Sequence, residues 1–281
     1  MRDYVLTRLV LAVGAVLGAA VLLFLFLDVL PGAGGADRPA WARFLGLFVG
    51  DTGAPNTFGE RLAVTLPLAL LALLVAGAVG AGLGLAAGRY RGLVDRLVRV
   101  LSGVLALLPP FWLGMLLALL FAGLLKLLRA SGFVPWSNPL GALASLLLPS
   151  LALGLPYAGQ LALRIRRDLG RVAERDVQRL RADGIAAFEA SWQLGLARAL
   201  VELPQAMART FGALLIGAAL VESVFFLPGL GRQILGAAEQ HDLALLRGGL
   251  LLLIMVAAFG MLLLALLRVL VDPAFRAELR P

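Results

Sequence analysis

Few side chains in this 281-residue chain could make or break bonds. There is no cysteine and one histidine, His241. Without thiols there are no disulfides, thiolate zinc sites, iron–sulfur clusters or cysteine nucleophiles. One imidazole cannot supply a two-histidine metal or haem site. The one lysine, Lys126, lies in FAGLLKLLRA rather than GxxxxGK[ST], so the chain carries no P-loop lysine for gripping a nucleotide phosphate. No HExxH motif, serine triad or pair of carboxylates within one apolar run is present. These absences argue against an enzyme and against a bound cofactor or metal, and direct attention to how charge is placed along an apolar chain.

Two placements stand out. Glu222 lies near the end of an apolar run, in LVESVFFLPGLG. An acidic residue at a membrane centre costs about 2.5–3.5 kcal/mol on insertion scales, so such groups face a cavity or a partner. Glu222 is therefore a candidate translocation-path or gate residue, or else a boundary glutamate whose carboxylate reaches water or a loop amide. The other placement is the polar stretch 164–209. From 164 to 182 it reads as a helix, and Arg167, Arg171, Arg175 and Arg179, four residues apart, share one face. That face suits anionic lipid headgroups, worth about 1 kcal/mol per basic residue, or a cytoplasmic partner. Gly184 breaks the helix, and Phe188, Trp192 and Leu196 then form an apolar stripe beside Glu189, Ser191 and Gln193. This is a short amphipathic helix that rests on the membrane or enters a groove of another protein.

The elements that must position these groups are membrane helices. The chain is 61% hydrophobic and 15% charged, with a mean hydropathy of +0.95, where a soluble domain has about 45–50% apolar and about 25% charged residues. Apolar runs long enough to span occur at about 9–27, 62–87, 97–125, 141–163, 210–227 and 249–267. The first exceeds the length of a signal-peptide core and is expected to remain as an anchor helix. Prolines 109, 110, 149 and 156 fall inside spans, where each removes a backbone donor and favours a kink. With the N-terminus inside, eighteen of the 25 basic residues fall in cytoplasmic segments and seven outside, so the positive-inside rule places both termini in the cytoplasm. The +8 net charge is thereby explained by membrane orientation, and nucleic acid is not an expected partner. Asp28 closes the first span at the interface, and His241 belongs to a solvated outer loop.

The residues resemble a known family, the permease subunits of ATP-binding-cassette importers of the dipeptide, oligopeptide and nickel type. VESVF at 221–225 followed by PGLG at 228–231 is similar to the family's VET-[VI]-F-x-x-PG-[LI]-G. Residues 7–32 resemble its opening span, 61–121 its second and third spans, 146–167 its fourth, and HDLALLRGGLLLL with the closing VDPAFR its C-terminal region. DVQRLRADG at 176–184 resembles the coupling-loop pattern DYxRxARAKG with one residue fewer. An alternative register places Glu189, Ala190, Ser191 and Gly195 on an EAAxxxG pattern. The usual RHALRNALLP segment is QLGLARALVELP here, without its histidine and asparagine.

The resemblance implies an all-α membrane protein with six transmembrane helices. It would be a single permease domain over 1–281 with the type I importer fold, cytoplasmic termini and a coupling region at 164–209. It implies an ATPase-coupling loop carrying Asp176, Arg179, Arg181, Ala182, Gly184, Phe188 and Trp192, and a path or gate carrying Glu222, Phe225, Pro228, Gly229 and Gly231. The partners implied are cytoplasmic ATPase subunits, a second homologous permease or a second copy of this chain, an extracytoplasmic solute-binding protein and the lipid bilayer. The location implied is a bacterial or archaeal inner membrane, and the cargo a small solute of the di- or oligopeptide class. The rival reading is a secondary transporter or channel acting alone. Such proteins often show inverted repeats and several midplane ionisable groups; here no repeat is evident and Glu222 is the one candidate.

Overall fold

In lipid every backbone polar group must bond within its own segment, and the apolar runs accordingly fold as helices in the computed structural model of the chain. It describes residues 2–28, 55–90, 92–126, 131–171, 174–182 and 184–271. In chain order the helices are α1 (Arg2–Asp28), α2 (Pro55–Arg89), α3 (Leu93–Leu107), α4 (Pro110–Leu117, continued by a π-helical segment Ala118–Leu124), α5 (Pro139–Gly170), α6 (Glu174–Ala182), α7 (Ala187–Val224), α8 (Leu230–Glu239) and α9 (Leu243–Val271). Among the described residues there is no strand. Helices α2, α5, α7 and α9 are each long and apolar enough to cross a bilayer, and the bent pair α3–α4 makes a fifth if counted as one span. Helix α1 covers the first apolar run and packs on α9. Residues 29–54, most of the loop expected at roughly 28–61, and residues 272–281, which hold all but the first residue of VDPAFR, lie outside the described residues.

Four expectations are corrected. The run 97–125 is not one straight span, because α3 and α4 meet at 103°. Leu108 (ψ 127°) and Pro109 (ψ 134°) are both extended, as residues preceding a proline tend to be, and Pro110 then starts a new helix where its missing N–H is harmless. The helix expected from 164 to 182 is two helices, since α5 ends at Gly170 and α6 begins at Glu174. Arg167 and Arg171 therefore do not share a continuous face with Arg175 and Arg179. The amphipathic segment after Gly184 is not a separate short helix but the start of α7, which runs unbroken for 38 residues. The loop expected around His241, 228–248, contains a helix, α8. Prolines 149 and 156, in contrast, are accommodated inside a continuous α5.

The core lies where α2, α5 and α7 meet, with Leu68, Ala72, Leu146, Leu153, Leu214, Leu215, Ala218 and Val221 among its buried side chains. Helices in lipid gain little from hydrophobic exclusion and depend on close packing by small residues. The α2–α5 seam is of this kind. A Cβ on Gly154 would lie 2.5 Å from the Ala72 carbonyl oxygen, and one on Gly80 2.8 Å from that of Ala158. Gly154→Leu is expected to cost about 1–3 kcal/mol through overpacking. It should lower the thermal unfolding midpoint of the detergent-solubilised chain by several degrees, whereas Gly82→Leu, which faces open space, should leave it unchanged.

Candidate functional site

At the N-terminal end of α7, two short-range signals shape the segment 176–192. Helix α6 is closed by Gly184 at φ +86°, a conformation that disfavours any side chain. The Gly184 N–H donates to the Arg181 carbonyl at 3.0 Å and the Ile185 N–H to that of Leu180 at 3.1 Å, the paired bonds of a Schellman stop. Asp176 and Arg179 lie on α6, and Arg181 and Ala182 are exposed on its last turn. The chain then re-enters a helix at Ala187, which places Phe188 and Trp192, both half-buried, on the first turns of α7.

These two rings meet the ends of three other helices. The Arg89 guanidinium, at the end of α2, sits 5.1 Å from the Phe188 ring centroid and 5.8 Å from that of Trp192, within cation–π range. It also lies 3.8 Å from Glu189. Asp95 at the start of α3 accepts two hydrogen bonds from Arg166 of α5, at 2.8 and 2.9 Å, and pairs with Arg99 at 3.2 Å. Two parallel N–H···O bonds of this kind fix orientation as well as proximity. Gly195 of α7 lies against the backbone of Leu169, where a Cβ would come within 2.7 Å of the carbonyl oxygen, and Arg198 donates to the Arg171 carbonyl at 3.1 Å. The groups enclose a cavity of about 320 Å³ lined by Gly88, Asp95, Arg166, Leu169, Phe188 and Trp192 among others. Trp192 and Leu196 pack against Leu161, Ile165 and Leu169. Part of the expected free stripe is thus committed to the chain's own α5.

At the other end of α7, Glu222 is fully buried. Thr65 of α2 donates its hydroxyl to Oε1 at 2.6 Å, and that hydroxyl oxygen accepts the Leu230 N–H at 2.8 Å. The Arg232 N–H donates to Oε2 at 2.8 Å, and the Gly231 amide also faces the carboxylate. The carboxylate therefore caps the N-terminus of α8, where unpaired N–H groups and the helix dipole favour negative charge. Gly229 leaves no room for a Cβ, which would overlap the Glu222 carboxyl group, and Gly231 lies against Ala219. Glu222, Gly229 and Gly231 thus form one knot with Thr65, while Phe225 is buried in the core and Pro228 is half-buried in the connection. The carboxylate thus reaches amides in the first turn of α8.

Sequence reading missed Thr65, Arg89, Asp95 and Arg166. Thr65 was visible as a hydroxyl in an apolar run and Asp95 as the one acid among Arg91, Arg96 and Arg99. Their partners lie 157 and 71 residues away, a separation no local pattern encodes. Among the described residues no group of three or more His, Asp or Glu could hold a metal ion. His241 is exposed in the turn between α8 and α9.

Known proteins share this sequence and arrangement. The profile of the family described as binding-protein-dependent transport system inner membrane component matches residues 80–277. The chain is 30% identical to a putative peptide transport system permease protein of Brucella abortus (strain 2308), over 99% of this chain and all of that one. It is 28% identical to the dipeptide transport system permease protein DppB of Escherichia coli (strain K12), with 98% and 99% covered. It is 30% identical to the glutathione transport system permease protein GsiC of Salmonella paratyphi A, with 98% and 99% covered. Among solved structures, an amino acid ABC transporter crystallised with histidines superposes with a TM-score of 0.56 over 79% of this chain and 96% of that one. At 18% identity the likeness is one of fold.

Proposed function

Since the chain belongs to the family of binding-protein-dependent transport system inner membrane components, we propose that it is the permease subunit of an ATP-driven importer of di- or oligopeptides. The chain would be one transmembrane domain over 1–281 with six spans and cytoplasmic termini. ATP hydrolysis would reside in a separate subunit, because this chain has no phosphate-gripping lysine of its own. A homologous permease or a second copy would supply the other half of the pore, and a solute-binding protein would deliver the cargo from outside.

The observation that carries this reading is the continuity of α7. One helix of 38 residues, about 57 Å at 1.5 Å per residue, joins the Phe188–Trp192 end to the Glu222 knot. In the proposed mechanism, the ATPases close on the coupling loop, 176–184 with Phe188 and Trp192. The push turns α7 as a rigid body, and the ends of α2, α3 and α5 follow because Arg89, Asp95, Arg166 and Gly195 tie them to it. At the far end the motion strains the knot of Glu222, Gly229, Gly231 and Thr65, and with it Phe225 and Pro228, so that these residues act as the outer gate. Alternation of this kind requires two packed arrangements close in energy that nucleotide can bias.

The test is uptake of labelled dialanine into vesicles reconstituted with this chain, its permease partner, the ATPase and the binding protein. ATP is expected to raise the rate roughly tenfold or more, equivalent to about 1.4 kcal/mol of barrier per tenfold. Omission of the ATPase or of the binding protein is expected to abolish the rise. Equal flux from this chain alone, without ATP, refutes the reading.

A further inference from the structure

Beside the Glu222 knot, on the outer side, lies a second and larger cavity of about 690 Å³, walled by α8, the end of α7, the start of α9 and Arg61 of α2. Its charges are sorted. Arg61 and Arg232 stand among its lining, as does Glu239, yet among the described residues none of the three is within 4.0 Å of an opposite charge. Arg232 and Glu239 are seven residues apart on α8, which puts them on one face and about 10 Å apart along the axis. Neighbouring opposite charges on a flexible surface ordinarily close into a pair; these are held apart by the helix.

Phe226 adopts φ +53° as the left-handed residue that ends α7: its N–H meets the Ser223 carbonyl at 3.4 Å and the Leu227 N–H donates to that of Glu222 at 2.9 Å, the paired bonds of a Schellman stop. Here it leaves the ring 61% exposed on the cavity wall, with the Arg232 guanidinium 5.1 Å from its centroid. The ring holds the cation at the cavity, where the Glu222 carboxylate also attracts it from beyond ion-pair distance.

We propose that this cavity is a receiving site for a zwitterionic di- or tripeptide, whose terminal carboxylate pairs with Arg232 and Arg61 and whose terminal ammonium pairs with Glu239. An extended chain covers about 3.3–3.6 Å per residue, so two or three residues span about 7–10 Å, comparable to the axial rise between positions 232 and 239 on α8. The inference rests on the peptide-import reading, and gives to that function a site that reads both ends of the cargo and leaves its side chains in open volume. A phosphate alone would meet Glu239 as a like charge. A phosphoethanolamine headgroup carries both charges but holds them closer together than the two ends of α8.

Saturation-transfer NMR on the full chain in phosphatidylcholine nanodiscs tests this with trialanine, N-acetyl-trialanine and trialanine amide. Trialanine is expected to receive saturation, and each cap to weaken binding roughly tenfold, the effect of losing one charge-assisted contact. Glu239→Gln should weaken trialanine but leave N-acetyl-trialanine unchanged; Arg232→Ala should weaken trialanine but leave the amide unchanged. Equal signals from all three peptides, no signal from any, or full displacement by glycerophosphoethanolamine overturns the proposal. The capped peptides need no altered protein, so a variant that misfolds does not blunt the test. ATP-driven uptake of trialanine with indifference to capping in the NMR assay would sink the site and leave the import reading standing. Capping-sensitive binding without any ATP-driven uptake would do the reverse.

Discussion

Vesicles carrying Glu222→Ala are expected to import solute at less than about a tenth of the wild-type rate, a barrier change above ~1.4 kcal/mol, and the purified variant to unfold at a lower temperature. The carboxylate is fully buried and accepts from the Thr65 hydroxyl and the Arg232 amide. Its removal leaves these donors unsatisfied, uncaps α8 and opens a void, for a combined loss of about 3–5 kcal/mol. Gly229→Ala should reproduce much of the defect without touching the charge, because the new methyl group would occupy the space of the carboxyl. Thr65→Ser keeps the hydroxyl that bridges Glu222 and the Leu230 amide and should retain uptake, whereas Thr65→Val should not. Wild-type uptake by both Glu222→Ala and Gly229→Ala would remove the knot from the transport mechanism.

Trp192→Ala is expected to separate hydrolysis from transport. The assembled transporter should continue to consume ATP while uptake falls roughly tenfold or more, again at least ~1.4 kcal/mol. The indole shares the Arg89 guanidinium with Phe188 and packs on the C-terminal end of α5. Without it, a push on the start of α7 meets a cavity instead of the ends of α2 and α5. Gln193→Ala, on the exposed side of the same turn, should leave both activities unchanged. Parallel loss of ATP hydrolysis and uptake in Trp192→Ala would point to failed docking of the ATPase, and unchanged uptake would show that the ring transmits nothing.

How much of this was legible in sequence differs between elements. Helices α1, α2, α5 and α9 followed from apolar length, because in lipid the backbone has no other way to satisfy itself. The stop at Gly184 was equally plain, since it rests on one residue's conformational freedom. The break after Gly170 was not, because a lone glycine is tolerated in a helix at about 1 kcal/mol and only the turn onto α7, held by Arg198 and Gly195, settles which way the chain goes. Likewise, the four prolines expected inside spans gave one sharp bend. Pro109 and Pro110, adjacent, remove two donors at one point; Pro149 and Pro156, on separate turns, are absorbed by the packing of α5.

Of the candidate site residues, type and neighbourhood exposed Glu222, Phe188 and Trp192, since a carboxylate in an apolar run and an aromatic stripe beside polar residues are conspicuous in one dimension. What the sequence determined by itself was the solvent, the helical class and the family, all of which depend on composition or on local pattern. Only the tertiary structure decided that Glu222 caps α8 through Thr65, that Arg166 answers Asp95, and that one helix links the two ends. Those outcomes depend on pairings across 71 and 157 residues, set by which helix faces can approach closely, and close approach is a property of packed surfaces rather than of any segment read alone.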